Sequence, residues 1–389
     1  MITRWIIRSS LSLIILALSS PSLSAAPTAL EIAAQFNKSR EGFANKYGTR
    51  FAFLFNYTQQ LILKSSSEKG KSGGVGYGNL ELAQRLWQGA ELFAEFEVDR
   101  GKGVDKFLPT FSGLNDNSGE DANLYLPVLY MDQKLFDEKI LIGAGKLDLS
   151  YWFDGNEAAN SADTQFLSSA LVNSLTLPFP SKGIGAMASF EPCEWVYFQT
   201  GVATAKAKST KTGLPDAFNS AFVLNELGFT PKIGKLQGNY RFIFNLNHEK
   251  LEYVNKSDES KKNDFGFAVS FDQAITKRIT LFLRYGLADP KVRDIEHYWS
   301  CGGQLSQPIP GRKLDILGIG IAQSIFGDDF REANGEDTAS RETIYEAYYS
   351  YNVNDAIALT PSIQIVTDPN GDKTAETAIV CGLRFLLSF

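Results

Sequence analysis

The sequence predicts an all-β protein, a single transmembrane antiparallel β-barrel of about sixteen strands. Long segments alternate bulky apolar residues with small, polar or charged residues, the period-two pattern of strands whose two faces meet different solvents. The 28 Phe and 15 Tyr residues are enough for a lipid-facing surface and for aromatic girdles. Past the first two dozen residues, no apolar run reaches the roughly 20 residues that a membrane-spanning helix requires.

Residues 1–25 have the features of a secretory signal peptide. Arg4 and Arg8 form a basic start, an apolar stretch runs from Leu11 to Leu18, and small residues follow it. This apolar stretch is too short to anchor a protein in a membrane. The mature chain is therefore expected to be exported.

Residues 26–48 are expected to form an N-terminal periplasmic helical segment that precedes the barrel domain, residues 49–389. Apolar residues recur at helical spacing between Thr28 and Lys46, which predicts a short amphipathic helix. A disordered leader is the alternative interpretation of the same residues.

Strand patterns begin at residue 51 and continue to the end of the sequence. In each of them, aromatic or branched residues occupy one parity and small or polar residues the other. The clearest segments are 51–58, 91–98, 240–246, 265–271, 279–285, 345–352 and 357–365. Between them, the glycine-rich segment 69–78 is expected to be a turn, and the Gly, Ser, Asn and Asp residues of 101–121 predict an outer loop.

The final segment, residues 376–389, shows the alternation most clearly. One parity is wholly apolar and consists of Ile379, Cys381, Leu383, Phe385, Leu387 and Phe389. The other parity mixes small and polar groups and includes Arg384. As an exposed edge in a soluble protein such a strand would invite aggregation, so we expect it to seal a closed barrel in lipid.

Charged residues favour a barrel over a soluble β-sandwich. Six of them lie on the parity opposite the bulky apolar residues: Glu91, Glu95, Arg241, Arg284, Glu346 and Arg384. An arginine on the lipid face near mid-membrane costs roughly 2–4 kcal/mol, whereas in a water-filled interior it costs little. The polar parity is therefore expected to line a wet lumen.

Residues 150–182 interrupt the alternation. Within them, Thr164–Ser174 has helical spacing, and Pro178 and Pro180 end it. A long loop that carries a short helix is a candidate for folding inward and narrowing a pore.

Composition and motifs exclude several functions. The net charge of -6 and the lack of a basic stripe exclude nucleic-acid binding. With only two histidines, His248 and His297, and no H-E-x-x-H or G-x-S-x-G motif, we expect no catalytic residues, no metal site and no cofactor. The three cysteines are far apart in the sequence. A Cys193–Cys301 disulfide is left open, and Cys381 lies on the apolar parity of the last strand.

Several segments resemble one known family. The sequence GKLDLSYWFDGNEAANSADTQFLSSALVNS at 145–174 resembles the long central loop of the carbohydrate-selective outer-membrane porins, the OprB family. Residues 311–326 and 344–371 look like two later segments of that family, and 73–78 with the residues that follow fits its early hairpin. The resemblance implies an outer-membrane porin of about sixteen strands, with an inward-folded loop, that passes sugars by diffusion.

Sugars are bound by aromatic faces and by charged or amide groups that bond to hydroxyls. Nine residues are candidates for contact with solute in the pore: Lys146, Asp148, Trp152, Phe153, Asp154, Arg241, Arg284, Glu346 and Arg384. Structural interpretations remain beside this one. Trp152 and its neighbours can pack the loop against the barrel wall, and the three arginines can simply balance inward carboxylates such as Glu95. Lys146 and Asp148, which share a parity, can form an ordinary ion pair.

The expected function is passive diffusion of small hydrophilic solutes, above all carbohydrates, across the outer membrane. Outer-membrane lipid is the expected surrounding of the barrel, and a homo-oligomer is left open. Two alternatives keep the same architecture: a general or ion-preferring pore, and a non-conducting structural barrel. The sequence does not choose among them.

Overall fold

The structure is a computed structural model that describes residues 40–119, 121–214, 217 and 219–389. The predicted signal peptide and most of the predicted helix from Thr28 lie outside the described residues. Residues 40–47 form helix α1, which leads directly into the first strand. Within the described part of the chain, no helix is both long and apolar enough to cross a membrane.

One antiparallel sheet dominates the molecule. It contains seventeen strands. One of them, β9 (Lys232–Ile233), has only two residues and extends the pairing of the strand that follows it, and the other sixteen close into a barrel. The barrel strands are β1 (Thr49–Lys64), β2 (Ser72–Trp87), β3 (Ala90–Arg100), β4 (Tyr125–Leu135), β5 (Ile140–Leu147), β6 (Gly183–Cys193), β7 (Val196–Thr204), β8 (Ala221–Phe229), β10 (Leu236–Asn247), β13 (Asp264–Ala274), β14 (Ile279–Ala288), β15 (Ile295–Ser306), β16 (Ile316–Phe326), β17 (Arg341–Asn352), β18 (Ile357–Thr367) and β19 (Ala378–Ser388). The predicted fold class and strand number are confirmed.

The remaining elements are short. Strand β9 is Lys232–Ile233, and β11 (Leu251–Tyr253) pairs with β12 (Lys256–Lys261) in a separate hairpin. Helix α2 is Ser169–Val172 and helix α3 is Asp328–Asn334. Two 3-10 turns occur at Leu149–Tyr151 and Pro369–Gly371.

The last strand closes the barrel as its alternation predicts. Strand β19 pairs with β1, where Tyr57 lies opposite Phe385 and Thr58 lies opposite Arg384. Every other barrel strand pairs with its neighbour in the sequence, apart from the short β9, β11 and β12 that are passed over. Closure leaves no barrel strand with an unpaired edge, which is what a sheet in lipid requires.

The two faces of the wall separate as the alternation predicts. On β10, Phe242 and Phe244 point outward and are 40% and 42% exposed, while Arg241, the residue before Phe242, is buried inside the barrel. On β19, Arg384 is likewise buried inside, and Leu383 beside it faces outward. The Arg residues are therefore kept away from the lipid-facing surface, where they would be costly.

The two ends of the barrel differ in the length of their connections. At one end, which we name the short-turn end, the connections are brief and include 88–89, 136–139, 194–195, 275–278 and 353–356. Helix α1 and the end of β19 also lie at this end. The opposite, long-loop end carries 101–124, 148–182 and 205–220. In outer-membrane barrels, short turns face the periplasm and long loops face outward.

Two of the long loops fold into the barrel. We name residues 101–119 the first inner loop and residues 148–182 the second inner loop. The second forms two apolar clusters with the wall, one around Phe166 and Leu171 and the other around Leu149 and Phe153. The inward fold of the second loop matches the prediction, but the first loop was expected to stay outside, and it does not.

The second inner loop is less helical than its spacing predicts. Only Ser169–Val172 is α-helical, a single turn within the predicted helix Thr164–Ser174. The backbone N–H groups of Leu167 and Ser168 donate to the Glu346 carboxylate instead of to earlier carbonyls of their own segment. A partner far away in the sequence therefore overrides the local helical pattern.

Glycines let chain segments approach the wall closely. A Cβ at Gly286 would overlap Thr176 Oγ1 of the second inner loop, and a Cβ at Gly266 would lie 2.8 Å from the Thr176 carbonyl oxygen. At the long-loop end, Gly73 lies in β2 itself, against the Gly103 backbone. The glycine-rich segment predicted as a turn is therefore largely strand, because these glycines make room for neighbouring backbone.

All three cysteines are free thiols. Cys193 is exposed at the end of β6, whereas Cys301 and Cys381 lie on the outward face of β15 and β19. The Cys193–Cys301 disulfide left open by the sequence is not formed.

The separation of solvents across the wall can be tested with one introduced charge. Leu283 lies near the middle of β14 on the outward face, so we expect Leu283→Arg to lower the free energy of unfolding by roughly 2–4 kcal/mol. Glu81→Arg is the matched control, because Glu81 points into the lumen from β2, and we expect it to change that energy by less than about 1 kcal/mol. Urea titrations in phospholipid vesicles measure both, and equal losses would contradict the two-solvent wall.

Candidate functional site

Arg284 holds the second inner loop against β14. Its side chain has no exposed surface, and its Nε donates to Asp154 Oδ1 at 3.1 Å. Its Nη2 donates to the carbonyl oxygens of Ala159 at 2.6 Å and of Asp154 at 3.2 Å, and its Nη1 donates to that of Leu171 at 3.3 Å. One guanidinium therefore binds three separate points of the loop.

Glu346 and Arg384 hold the same loop from β17 and β19. The Glu346 carboxylate accepts from the backbone N–H groups of Leu167 at 2.6 Å and Ser168 at 2.9 Å. Arg384 donates to the carbonyl oxygens of Ala162 at 2.5 Å and Gln165 at 2.9 Å. Loop N–H groups are therefore bound by a carboxylate of the wall, and loop carbonyl oxygens are bound by a guanidinium of the wall.

A third anchor lies on β8, β10 and β13. The Glu226 carboxylate accepts from the Asp154 N–H at 2.9 Å and from the Tyr197 hydroxyl at 2.6 Å. Arg241 donates to Asp272 Oδ2 at 2.8 Å and lies 4.0 Å from Glu226. Arg241 thus balances two buried carboxylates, which is the structural role that the sequence left open beside solute contact.

The first inner loop is fixed in the same way and touches the second. Glu342 on β17 accepts from the backbone N–H of Ser112 at 2.7 Å and from its hydroxyl at 2.6 Å. The Ser112 carbonyl oxygen accepts from the Ala170 N–H and from the Ser168 hydroxyl, each at 2.9 Å. The two loops therefore form one body inside the barrel.

Five of the predicted solute contacts are covered by these loops. Each of them is at most 2% exposed: Phe153, Asp154, Arg284, Glu346 and Arg384. With the loops in this position a solute reaches none of the five, because the loops cover their side chains. Their contact with solute stays a prediction that would require the loops to move.

Lys146 and Asp148 do not share a face of the strand. Lys146 lies opposite the outward-facing Leu129, and its ammonium donates to the carbonyl oxygens of Leu126 at 2.9 Å and Ser209 at 2.5 Å. Asp148 lies past the end of β5 and accepts from the N–H and hydroxyl of Ser150. The predicted shared parity is wrong, because β5 ends at Leu147 and the alternation of the strand does not extend to Asp148.

Trp152 lines a cavity near the short-turn end of the lumen. The cavity measures about 610 Å³. Its lining combines aromatic rings with charged and amide groups, among them Arg50, Arg85, Glu91, Tyr130, Asp132, Lys139, Tyr151, Trp152, Glu191 and Gln199. The Trp152 ring meets the Tyr130 ring edge to face at 5.2 Å, and its carbonyl oxygen accepts from Gln199 at 2.5 Å. Trp152 remains half-exposed to this cavity.

Carboxylates concentrate where the inner loops face β2 and β3. We name this group the acidic wall, and it consists of Glu81, Glu95 and Glu97 on the strands with Asp116, Asp148 and Asp163 on the loops. Asp116 is exposed, and Glu81 and Asp163 are half-exposed, although all three lie within the barrel. Glu81 and Asp163 are close enough to repel each other. Water therefore reaches this side of the lumen past the loops.

Two loop residues modulate the charge of the acidic wall. Asp163 accepts from the amides of Asn56 and Asn117, each at 3.0 Å, and burial raises the pKa of its carboxyl although nearby Arg384 opposes the shift. Lys182 contacts Glu97 and lies 3.6 Å from Glu95. Burial alone would lower the pKa of the Lys182 ammonium, but the two glutamates outweigh it and raise that pKa. Lys182 therefore stays charged and offsets part of the negative charge.

Sequence reasoning missed several residues that matter here. Glu226 and Glu342 lie on lumen-facing parities among apolar residues, so the alternation around them gave a weaker signal. Asp163 and Lys182 lie in a loop without periodicity, where only the tertiary structure brings them to the acidic wall. The one sequence signal that could have identified Glu226 and Glu342 is a carboxylate at a position whose parity faces the lumen.

Known proteins share this architecture and sequence pattern. The family model for the carbohydrate-selective porin, OprB family, matches residues 79–389. Porin B of Pseudomonas aeruginosa is 23% identical over 331 residues, which cover 72% of this chain and 71% of that protein. Porin AaxA of Chlamydia pneumoniae is 25% identical over 292 residues, which cover 74% of this chain and 64% of that protein.

A solved structure shares the fold. The high-pH structure of Pseudomonas putida OprB superimposes with a TM-score of 0.81 at 18% sequence identity, covering 92% of this chain and 98% of that chain. At that identity the likeness establishes the fold, while the family model extends over most of the sequence. The chain belongs to the carbohydrate-selective porin family, OprB, and is a channel-forming porin of the outer membrane.

Proposed function

We propose that this porin lets small sugars diffuse passively across the outer membrane, and that they bind weakly in the cavity beside Trp152 on the way. The cavity carries the proposal. Its volume of about 610 Å³ falls within the range of small-molecule sites, and its lining pairs aromatic rings with polar groups. The solute crosses unchanged, so the proposal includes no catalytic step and no cofactor.

The chemistry of the lining suits a sugar better than an apolar solute. A sugar ring offers a face of C–H groups, which packs on an aromatic ring, and hydroxyls at its edge, which bond to charged groups. Trp152 provides the accessible ring and packs edge to face on the buried Tyr130, and Arg85, Glu91 and Lys139 provide charges at the edge of the same cavity. The family description, carbohydrate-selective porin, supports the same solute class.

The acidic wall favours a second candidate function, a preference for cationic over anionic solutes. Carboxylates in a narrow passage concentrate cations and repel anions, as the charged rings of selective channels do. The exposed Asp116 and the half-exposed Glu81 and Asp163 support this candidate. The two functions are compatible, because neutral sugars are insensitive to the sign of the charge.

Conductance in planar bilayers tests the proposal against its alternatives. Sugar diffusion predicts stable channels whose current falls when glucose or a glucose oligomer is added. Channels indifferent to sugars would leave a general pore, and the absence of any conductance would favour a structural barrel. Liposome swelling with a panel of sugars measures the solute range directly.

We expect Trp152→Ala to weaken sugar block about fivefold, while single-channel conductance stays equal or rises. An aromatic contact contributes ~1 kcal/mol, which corresponds to that factor in affinity. Trp152→Phe keeps a ring at the same position and is the matched control, so it should retain most of the block. Current–concentration curves for the added sugar give the affinities. Unchanged block in the alanine variant would mean that Trp152 only packs the loop.

We expect Asp163→Asn combined with Glu81→Gln to lower the cation-to-anion permeability ratio on the order of twofold or more. Reversal potentials in a KCl gradient measure the ratio. Asp137→Asn, at a short turn, removes a carboxylate outside the lumen and should leave it unchanged. Because burial raises the pKa of Asp163, the native ratio should already fall as the pH drops toward that pKa. If neither the double variant nor a lower pH changes the permeability ratio, the acidic wall does not set the ion selectivity.

We expect Arg284→Met to loosen the second inner loop. Removing one member of a buried ion pair costs about 3–5 kcal/mol, because Asp154 is left buried without its partner. The variant should show a lower Tm, a larger and noisier conductance, and faster proteolysis within residues 148–182. Arg278→Met, at an exposed short turn, is the control for loss of an arginine and should behave as the native protein. A native-like conductance in Arg284→Met would show that other contacts suffice.

A further inference from the structure

We propose that helix α1 is a membrane-surface element, which lies in the periplasmic leaflet of the outer membrane with one aromatic face among the phospholipids. This inference concerns the lipid around the barrel and does not depend on which solute crosses it. It assigns a lipid-binding surface to a segment that precedes the first barrel strand.

The exposed aromatic face of α1 is the first observation. Phe43 and Tyr47 lie four residues apart and therefore share one side of the helix. Their ring centroids are 4.8 Å apart, and the two residues are 43% and 53% exposed. Two large adjoining rings open to water would be unfavourable, whereas a headgroup region accommodates them.

The second observation is that this face continues the lipid-facing surface of the barrel. The Phe43 ring meets the Phe51 ring edge to face at 6.3 Å. Phe51 belongs to the outward parity of β1, the parity that also carries the exposed Phe55 and Tyr57. The helix face and the outer wall of β1 therefore form one apolar surface, and whatever covers the wall also covers the helix.

Hydrogen bonds to β2 hold helix α1 at the short-turn end of the barrel. The Arg85 N–H donates to the Gly48 carbonyl oxygen at 2.8 Å, and the Gln84 amide donates to that of Tyr47 at 3.2 Å. These bonds tie the end of α1 to the last residues of β2 at the short-turn end. The helix cannot swing away from the rim without breaking them.

A basic side chain of α1 suits the phosphates of phospholipid headgroups. The Lys46 ammonium lies 5.0 Å from the centre of the Tyr47 ring and is exposed, so it can reach a phosphate while its stem covers the ring. Aromatic rings among the lipids and a cation at the surface are the pattern of an interfacial helix.

Spin labels measure the depth of each face of the helix. In a background where Cys193, Cys301 and Cys381 are replaced by serine or alanine, single cysteines are introduced as Phe43→Cys and Tyr47→Cys. Asn45→Cys and Glu41→Cys lie on the opposite side and are the matched controls. Each full-length labelled variant is placed in vesicles of phosphatidylethanolamine and phosphatidylglycerol. Mobility on gels before and after heating verifies that each barrel is folded.

For each label, the ratio of accessibility to oxygen over accessibility to a water-soluble nickel complex reports depth in the membrane. We expect this ratio to be severalfold higher at positions 43 and 47 than at positions 41 and 45. Equal, water-like accessibility at all four positions would overturn the proposal. Dipolar broadening at 43 or 47 with low accessibility to both reagents would also overturn it, because the face would then be covered by a second copy of the chain.

Discussion

The structure depends on how the polar backbone of two irregular loops is satisfied inside the barrel. Loop N–H and C=O groups buried away from water must find partners, and no neighbouring strand provides them. Charged side chains of the wall do so instead: Arg284 and Arg384 donate to loop carbonyls, and Glu346 accepts from loop N–H groups. Charge-assisted bonds of this kind are stronger than neutral ones, so a few side chains can hold a long segment.

Much of the fold could be predicted because the alternation in a strand is a local property. Each residue's parity decides which solvent it meets, so Arg384 and Phe385 could be assigned to opposite faces from their order alone. Strand number and closure followed from counting such segments. The alternation failed at Asp148, because the strand ends one residue earlier, and a strand with apolar residues on both faces hid Glu226.

The candidate site was harder to predict because its contacts join distant parts of the chain. Asp154 and Arg284 are 130 residues apart in the sequence, and Leu167 and Glu346 are 179 apart. Sequence reasoning recognised Arg284, Glu346 and Arg384 as lumen residues and left open whether they contact solute or balance other charges. It did not predict that a loop covers them, because the shape of that loop has no periodic signal. The same lack of signal left Asp163 and Lys182 unnoticed.

The anchoring of the loops also determines which charges remain for solutes. Arg241, Arg284 and Arg384 face the lumen, yet their charges are used by buried carboxylates and loop carbonyls. On the β2–β3 side, the carboxylates that water reaches outnumber the positive charge of Lys182 beside them. An inward loop bound mainly through arginines therefore leaves a passage that is more acidic than the lumen residues of the strands alone would suggest. Loop anchoring and the proposed charge selectivity thus depend on the same set of contacts.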